Sequence, residues 1–142
     1  MDYKKVIKLI EEKLTEMNFD DFTVEIDDAN NSLFMIPVHI DNISEPDFDM
    51  GVLISENGSI FFECQLASEV QKSKRIAMLE MLNHLNFKYH ISFVLDENDD
   101  VYLKYICITC GDEITVCEQI FIILNYLMNI ISICIDDIMC II

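Results

Sequence analysis

Three features of this 142-residue sequence predict an α+β fold, an antiparallel sheet with helices packed mainly on one face. Apolar periodicity switches between helical and strand spacing in the order α-β-β-β-β-α-β-β-α, with strands in runs and no βαβ unit. The Asn57-Gly58 pair between two alternating stretches is a strong hairpin signal. The last helical stretch is far more apolar than a single core-facing stripe requires. The length fits one domain, residues 1–142, able to bury a core without metals or disulfides. No repeat, linker or low-complexity run divides it.

Residues 2–17 read as a first helix, because Tyr3, Val6, Ile7, Ile10, Leu14 and Met17 recur at helical spacing with Lys and Glu opposite. Phe22, Val24 and Ile26 alternate with Thr23 and Glu25 as a short strand, and Asp27-Asp28-Ala29-Asn30-Asn31 is a turn. Residues 33–40 form a second strand in which Pro37 predicts an edge or a bulge. A polar, Pro-containing loop covers 41–47. Phe48, Met50, Val52 and Ile54 alternate as a third strand, and 59–66 is its hairpin return. These four strands form a meander.

Ser68-Glu69-Val70-Gln71 fits a capping box and predicts that a second helix opens there and runs to about Phe87. Met78, Leu79, Leu82 and Leu85 would be its buried face. Residues 90–95 and 101–108 flank the turn Asp96-Glu97-Asn98-Asp99-Asp100 as a second hairpin. Gly111-Asp112 breaks the last strand, with Asp112 as N-cap of the final helix.

That helix, 113–137, is the most informative stretch. At about 100° per residue, Glu118, Asn125, Asn129, Ser132 and Asp136 fall within about 60° of one another, and only Ile122 intrudes. The remaining face is apolar and more than twice the ~100° that one core needs. It is expected to pack on its own domain and on a second layer: another subunit or a bound protein. The predicted contact surface is Phe121, Leu124, Leu127, Met128 and Ile131, joined by Met78 and Met81 of the second helix, since Met suits varied apolar partners. Leu127→Asp is then expected to break a dimer and leave the monomer folded. The apolar run approaches the ~20 residues that span a bilayer. The in-line polar stripe and the absence of Lys or Arg after Lys104 speak against a span.

The formal charge is −17, from 26 acidic against 9 basic residues. It repels phosphate backbones and anionic lipid, which excludes nucleic acid and membrane surfaces as partners on electrostatic grounds. An acidic surface also keeps a chain that is 52% hydrophobic soluble. No signal peptide is expected, because the first helix is interrupted by polar residues. Six Cys without an export signal read as reduced thiols, and the expected location is cytoplasmic. Asn42-Ile43-Ser44 and Asn57-Gly58-Ser59 match the glycosylation pattern, which carries no meaning there.

Motifs for chemistry are weak. Cys107-Ile108-Thr109-Cys110 is a lone CxxC with Cys107 inside a strand, whereas thiol exchange wants both sulfurs at a helix N-terminus. Zinc would need a second pair. Cys117, in the first turns of the last helix, has apolar flanks that favour burial. Asp96-x-Asn98-x-Asp100 copies the start of a calcium loop but has Val101 and Cys107 where Gly and Glu are needed. His39, His84 and His90 are scattered, and no nucleophile elbow or phosphate-cradling loop is present.

The span 75–137 carries RIAMLEMLNHLN, then FKYHISFVLDENDDVYLKY, then a Gly-Asp break and the apolar helix. A leucine-rich helix ending in Leu-Asn-x-Leu-Asn (82–86), then a strand, an acidic turn and a Val-x-Leu-x-Tyr strand, resembles the YbjN-type family of small bacterial proteins. The resemblance implies a fold like that of type III secretion chaperones, which commonly dimerise and hold a client segment along their surface. It implies no catalytic residue. The sequence therefore predicts a non-catalytic protein-binding module, chaperone- or regulator-like, acting as a homodimer through its C-terminal helix, with an unidentified protein client and no cofactor or metal. The alternative is a small thiol- or metal-dependent enzyme or sensor using Cys107 and Cys110, with His90.

Overall fold

The computed structural model describes residues 1–19, 21–40 and 48–142. The loop predicted at 41–47, with Asn42-Ile43-Ser44, lies outside the described residues. The elements are α1 (Tyr3–Glu16), β1 (Thr23–Ile26), β2 (Ser32–Val38), β3 (Phe48–Ile54), β4 (Ser59–Ala67), a 3₁₀ turn (Lys72–Lys74), α2 (Arg75–Tyr89), β5 (Ser92–Leu95), β6 (Val101–Ile108) and α3 (Glu113–Met139). Six strands form one antiparallel sheet in the order β1-β2-β3-β4-β6-β5. The predicted α+β order is the observed one.

Three hairpins share one construction, in which the turn closes twice and its fourth residue takes positive φ. Asp27 N–H donates to Asn31 C=O and Asn30 N–H to Asp27 C=O. Ser55 to Ser59 and Asp96 to Asp100 repeat this pattern. The positive-φ residues are Asn30, Gly58 and Asp99, two of them types whose short polar side chains tolerate that region. Asp27 Oδ1 also accepts the N–H groups of Ala29 and Asn31, each at 2.9 Å. Asp96 Oδ1 does the same for Asn98 and Asp100 at 2.9 Å. Part of the acidity of this chain is thus turn chemistry.

Pro37 sits where β2 has become an edge. Pairing with β1 ends at Thr23↔Met35, so among the described residues β2 beyond Met35 is paired on its β3 side only, and a missing N–H is tolerated there.

The second helix starts later than the capping-box pattern predicts. Glu69 has φ 54°, and its N–H goes to Asp100 Oδ1 at 3.0 Å while Val70 N–H goes to Asp99 C=O at 2.9 Å. The β5–β6 turn competes for the backbone donors that a cap would use, so α2 begins at Arg75, which pairs with Asp99. At its far end Asn86 does what a neighbouring strand would do. Its Oδ1 accepts Phe93 N–H at 2.6 Å and its Nδ2 donates to Phe93 C=O at 3.0 Å. Strand β5 is the last in the sheet, and this amide occupies backbone groups that would otherwise template another chain.

Helix α3 is the spine of the helical layer. It packs against α1, α2 and β4. Lys13 Nζ of α1 lies 4.8 Å from the Phe121 ring centroid. Asp2 N–H donates to Glu113 Oε1 at 3.0 Å, which joins the starts of α1 and α3. The predicted cap holds, with Asp112 Oδ1 accepting Thr115 N–H at 2.8 Å. The core lies between this layer and one sheet face, and contains Phe34, Met50, Phe62, Leu103, Leu82 and Leu127.

Two outcomes are expected. Asn86→Ala, which leaves the Phe93 amide and carbonyl unpaired, should lower stability by about 1–3 kcal/mol in chemical denaturation, whereas the exposed Asn83→Ala should shift it by less than about 0.5 kcal/mol. Backbone donation from Asn31 holds the Asp27 carboxyl below its ordinary range. A group depressed on folding stabilises above its unfolded pKa of about 3.9, and that contribution is lost as pH falls through the lower folded value. The stability difference between wild type and Asp27→Asn should therefore be constant near neutrality and shrink below about pH 4.

Candidate functional site: the open face of the sheet

Strand alternation sends every second side chain away from the helices. Among the described residues, no helix packs on that second face. Register aligns an apolar row across it. Leu33 of β2 pairs with Leu53 of β3, Leu53 with Phe61 of β4, and Phe61 with Ile106 of β6. Phe61 is 37% exposed and Ile106 63%, with Ile108 beyond it at 80%. Leu33, Met35 and Leu53 are half-buried. An antiparallel sheet with a solvated face ordinarily alternates apolar-in and polar-out; here the outer face is apolar across four strands.

The next row makes this face concave. Met35 pairs with Gly51, Gly51 with Glu63, and Glu63 with Lys104. Gly51 stands in an inner strand without positive φ, so no backbone conformation demands a glycine. A Cβ there would meet Glu63 O at 3.4 Å and Met35 Sδ at 3.5 Å, ordinary contacts. Gly51 is itself buried, because Met35 Sδ and Leu33 Cδ1 lean over it. It is part of a groove of about 740 Å³ bordered by Leu33, Met35, Leu53, Phe61 and Tyr102, with Asp49 and Glu63 in its walls. That volume lies within the usual range of about 300–1,000 Å³ for a binding cleft. Lys104 Nζ is 3.6 Å from Glu63. Loss of hydration and then the charges of Asp100, Asp96 and Glu63 hold the Tyr102 phenol above its ordinary pKa, so this end of the groove is anionic.

The residues predicted from the width of the last helix lie elsewhere. Phe121, Leu124, Leu127 and Ile131 are buried in the core of the single chain, as is Met78, with Leu127 at 0% exposure. Met128 and Met81 are half-buried. The broad apolar face is real, but α1, α2 and the sheet cover it from three sides within one chain. The polar stripe is solvent-facing as predicted: Glu118, Asn125, Asn129, Ser132 and Asp136 are all exposed. By length and a mean hydropathy of 1.7, α3 could cross a bilayer; here it packs on three neighbours. The helical layer also exposes Ile122, Tyr126 and Ile133 on α3, and Ile76, Leu79 and Phe87 on α2. Asn129 and Asn83 interrupt these two sets, whereas the sheet row is continuous.

The chemical alternative finds little support in geometry. Cys107 is half-buried in β6 with its thiol pushed up by burial, while Cys110 is exposed beyond the strand. Cys64 is pushed up to about 12 by burial and then by Asp49. Burial likewise raises Cys117 and Cys134. A raised thiol pKa is the opposite of what a nucleophile needs. All six cysteines are free. Among the described residues no group of three or more His, Cys, Asp or Glu side chains could hold a metal ion. Asp96 and Asp100, the start of the calcium-like pattern, accept backbone N–H groups instead.

A scan against protein-family models and a search of curated proteins both returned no match.

Leu127→Asp should now unfold the chain, costing at least about 4 kcal/mol through lost packing and an unpaired buried carboxylate. Ile133→Asp, on the exposed side of the same helix, should change stability by less than about 0.5 kcal/mol. Circular dichroism melts of the two variants check this directly.

Proposed function

We propose that this chain is a non-catalytic protein-binding module, chaperone- or regulator-like, working in the cytoplasm without a cofactor, and that it binds through the open face of its sheet. The observation that carries this is the unbroken row Leu33, Leu53, Phe61 and Ile106, set beside a groove that no part of the described chain fills. Contiguous exposed apolar surface on a soluble chain marks an interaction site more often than scattered residues do. The resemblance to the YbjN-type family points to the same class of function.

The dimer that the width of α3 predicts has few residues left to form on. Of its seven contact residues, only Met128 and Met81 reach the surface, each partly. The open sheet face replaces α3 as the proposed contact surface. Catalysis is disfavoured by the raised thiols.

The test is a native mass spectrum of the protein taken intact from its own cells, as wild type and as Phe61→Asp. The wild type should carry a second, different polypeptide in fixed proportion, and Phe61→Asp should fly as the bare 16.5 kDa chain with an unchanged melt. A bare chain in both, or the same adduct in both, overturns the proposal.

A further inference from the structure

The groove's floor and charge together define what can occupy it. Its floor belongs to β2, β3, β4 and β6, and at Leu33, Met35, Gly51, Phe61 and Tyr102 the chain is paired with a strand on each side. An extended segment laid across them would find no backbone partners and would bury its own amides unpaired, which is costly. Strand addition needs a free edge, and the unpaired sides of β2 beyond Met35 and of β6 beyond Lys104 lie outside the residues that line the groove. A helix carries its backbone bonds internally. Four strands about 4.8 Å apart span roughly 14 Å, and a helix with side chains is about 10–12 Å across.

Charge selects among helices. No Lys or Arg occurs between Lys13 and Lys72, a span that holds the whole β1–β4 meander. On the open face Glu25 pairs across from Leu33, and Asp49 and Glu63 wall the groove. The one cation of β6, Lys104, stands beside Glu63, and Asp96 and Asp100 stand near Tyr102. A second copy of this chain would bring the same anionic face and be repelled.

We propose that the open-face groove seats an amphipathic helix of a partner polypeptide whose apolar stripe is flanked by Lys or Arg. This rests on the binding-module reading and names its partner's chemistry. The apolar stripe rests on Leu33, Leu53 and Phe61, and the basic flanks meet Asp49, Glu63 and the acidic β5–β6 turn.

Three roughly 18-residue peptides test it by fluorescence anisotropy with the full chain: an amphipathic Leu/Lys helix, its Leu/Glu counterpart, and a Leu/Lys scramble without an apolar face. The amphipathic Leu/Lys peptide should bind at least about tenfold tighter than either control, and added salt should weaken it. Gly51→Leu, which pushes bulk up into the groove without changing charge, and Phe61→Gln should each weaken it about tenfold or more, with unchanged circular dichroism. Equal binding of the scramble, tighter binding of the Leu/Glu peptide, or indifference to both variants overturns the proposal, because attraction to net charge alone would then suffice. If none of the peptides binds while the wild-type chain still carries a polypeptide that Phe61→Asp loses, the partner chemistry is wrong and the module stands. If that polypeptide is missing as well, the module reading fails with it.

Discussion

The architecture depends on how much apolar surface α3 must cover. A helix whose apolar face is more than twice the width of one core-facing stripe needs neighbours on several sides. The chain supplies them from within: the sheet below, α1 on Phe121 through Lys13, and α2 beside it. All three long helices are thereby committed to one layer. A six-stranded sheet has two faces, and none of these helices remains for the other. The open face, with its row from Leu33 to Ile106, is the direct consequence.

A sheet left half covered must avoid pairing at its edges and sticking at its face, and the two problems are met differently. At the β5 edge, Asn86 takes the outward groups of Phe93. The turns at 27–31 and 96–100 hold carboxylates already committed to backbone donors, so they add charge without adding reach. The apolar face itself is ringed by Glu25, Asp49 and Glu63. A total formal charge of −17 opposes the stacking of two such faces.

The order of elements, the meander, the Asp112 cap and the polar stripe on α3 were legible from periodicity and local chemistry. They are set by neighbours within a few residues. The start of α2 was not, since Ser68 to Gln71 has the residues of a capping box but its backbone donors are taken by Asp99 and Asp100, some thirty residues away in sequence. Phe121, Leu124, Leu127, Ile131 and Met78, expected at a contact surface, lie in the core for a related reason. The breadth of an apolar helix face counts the neighbours it needs, not whether they come from the same chain. A usable signal lay in Leu33-Phe34-Met35-Ile36, where an antiparallel strand is apolar on both faces, and again at Phe61-Phe62. Such runs ordinarily mean a strand covered on both sides. With three helices on one side, the other is left open.

The most direct measurement places a photo-reactive side chain at position 61, in the apolar row, or at position 133, on the outer side of α3, and irradiates living cells. The open-face account predicts a crosslink to one discrete polypeptide from position 61 and none from position 133. A crosslink from position 133 alone, or from neither position, would contradict it.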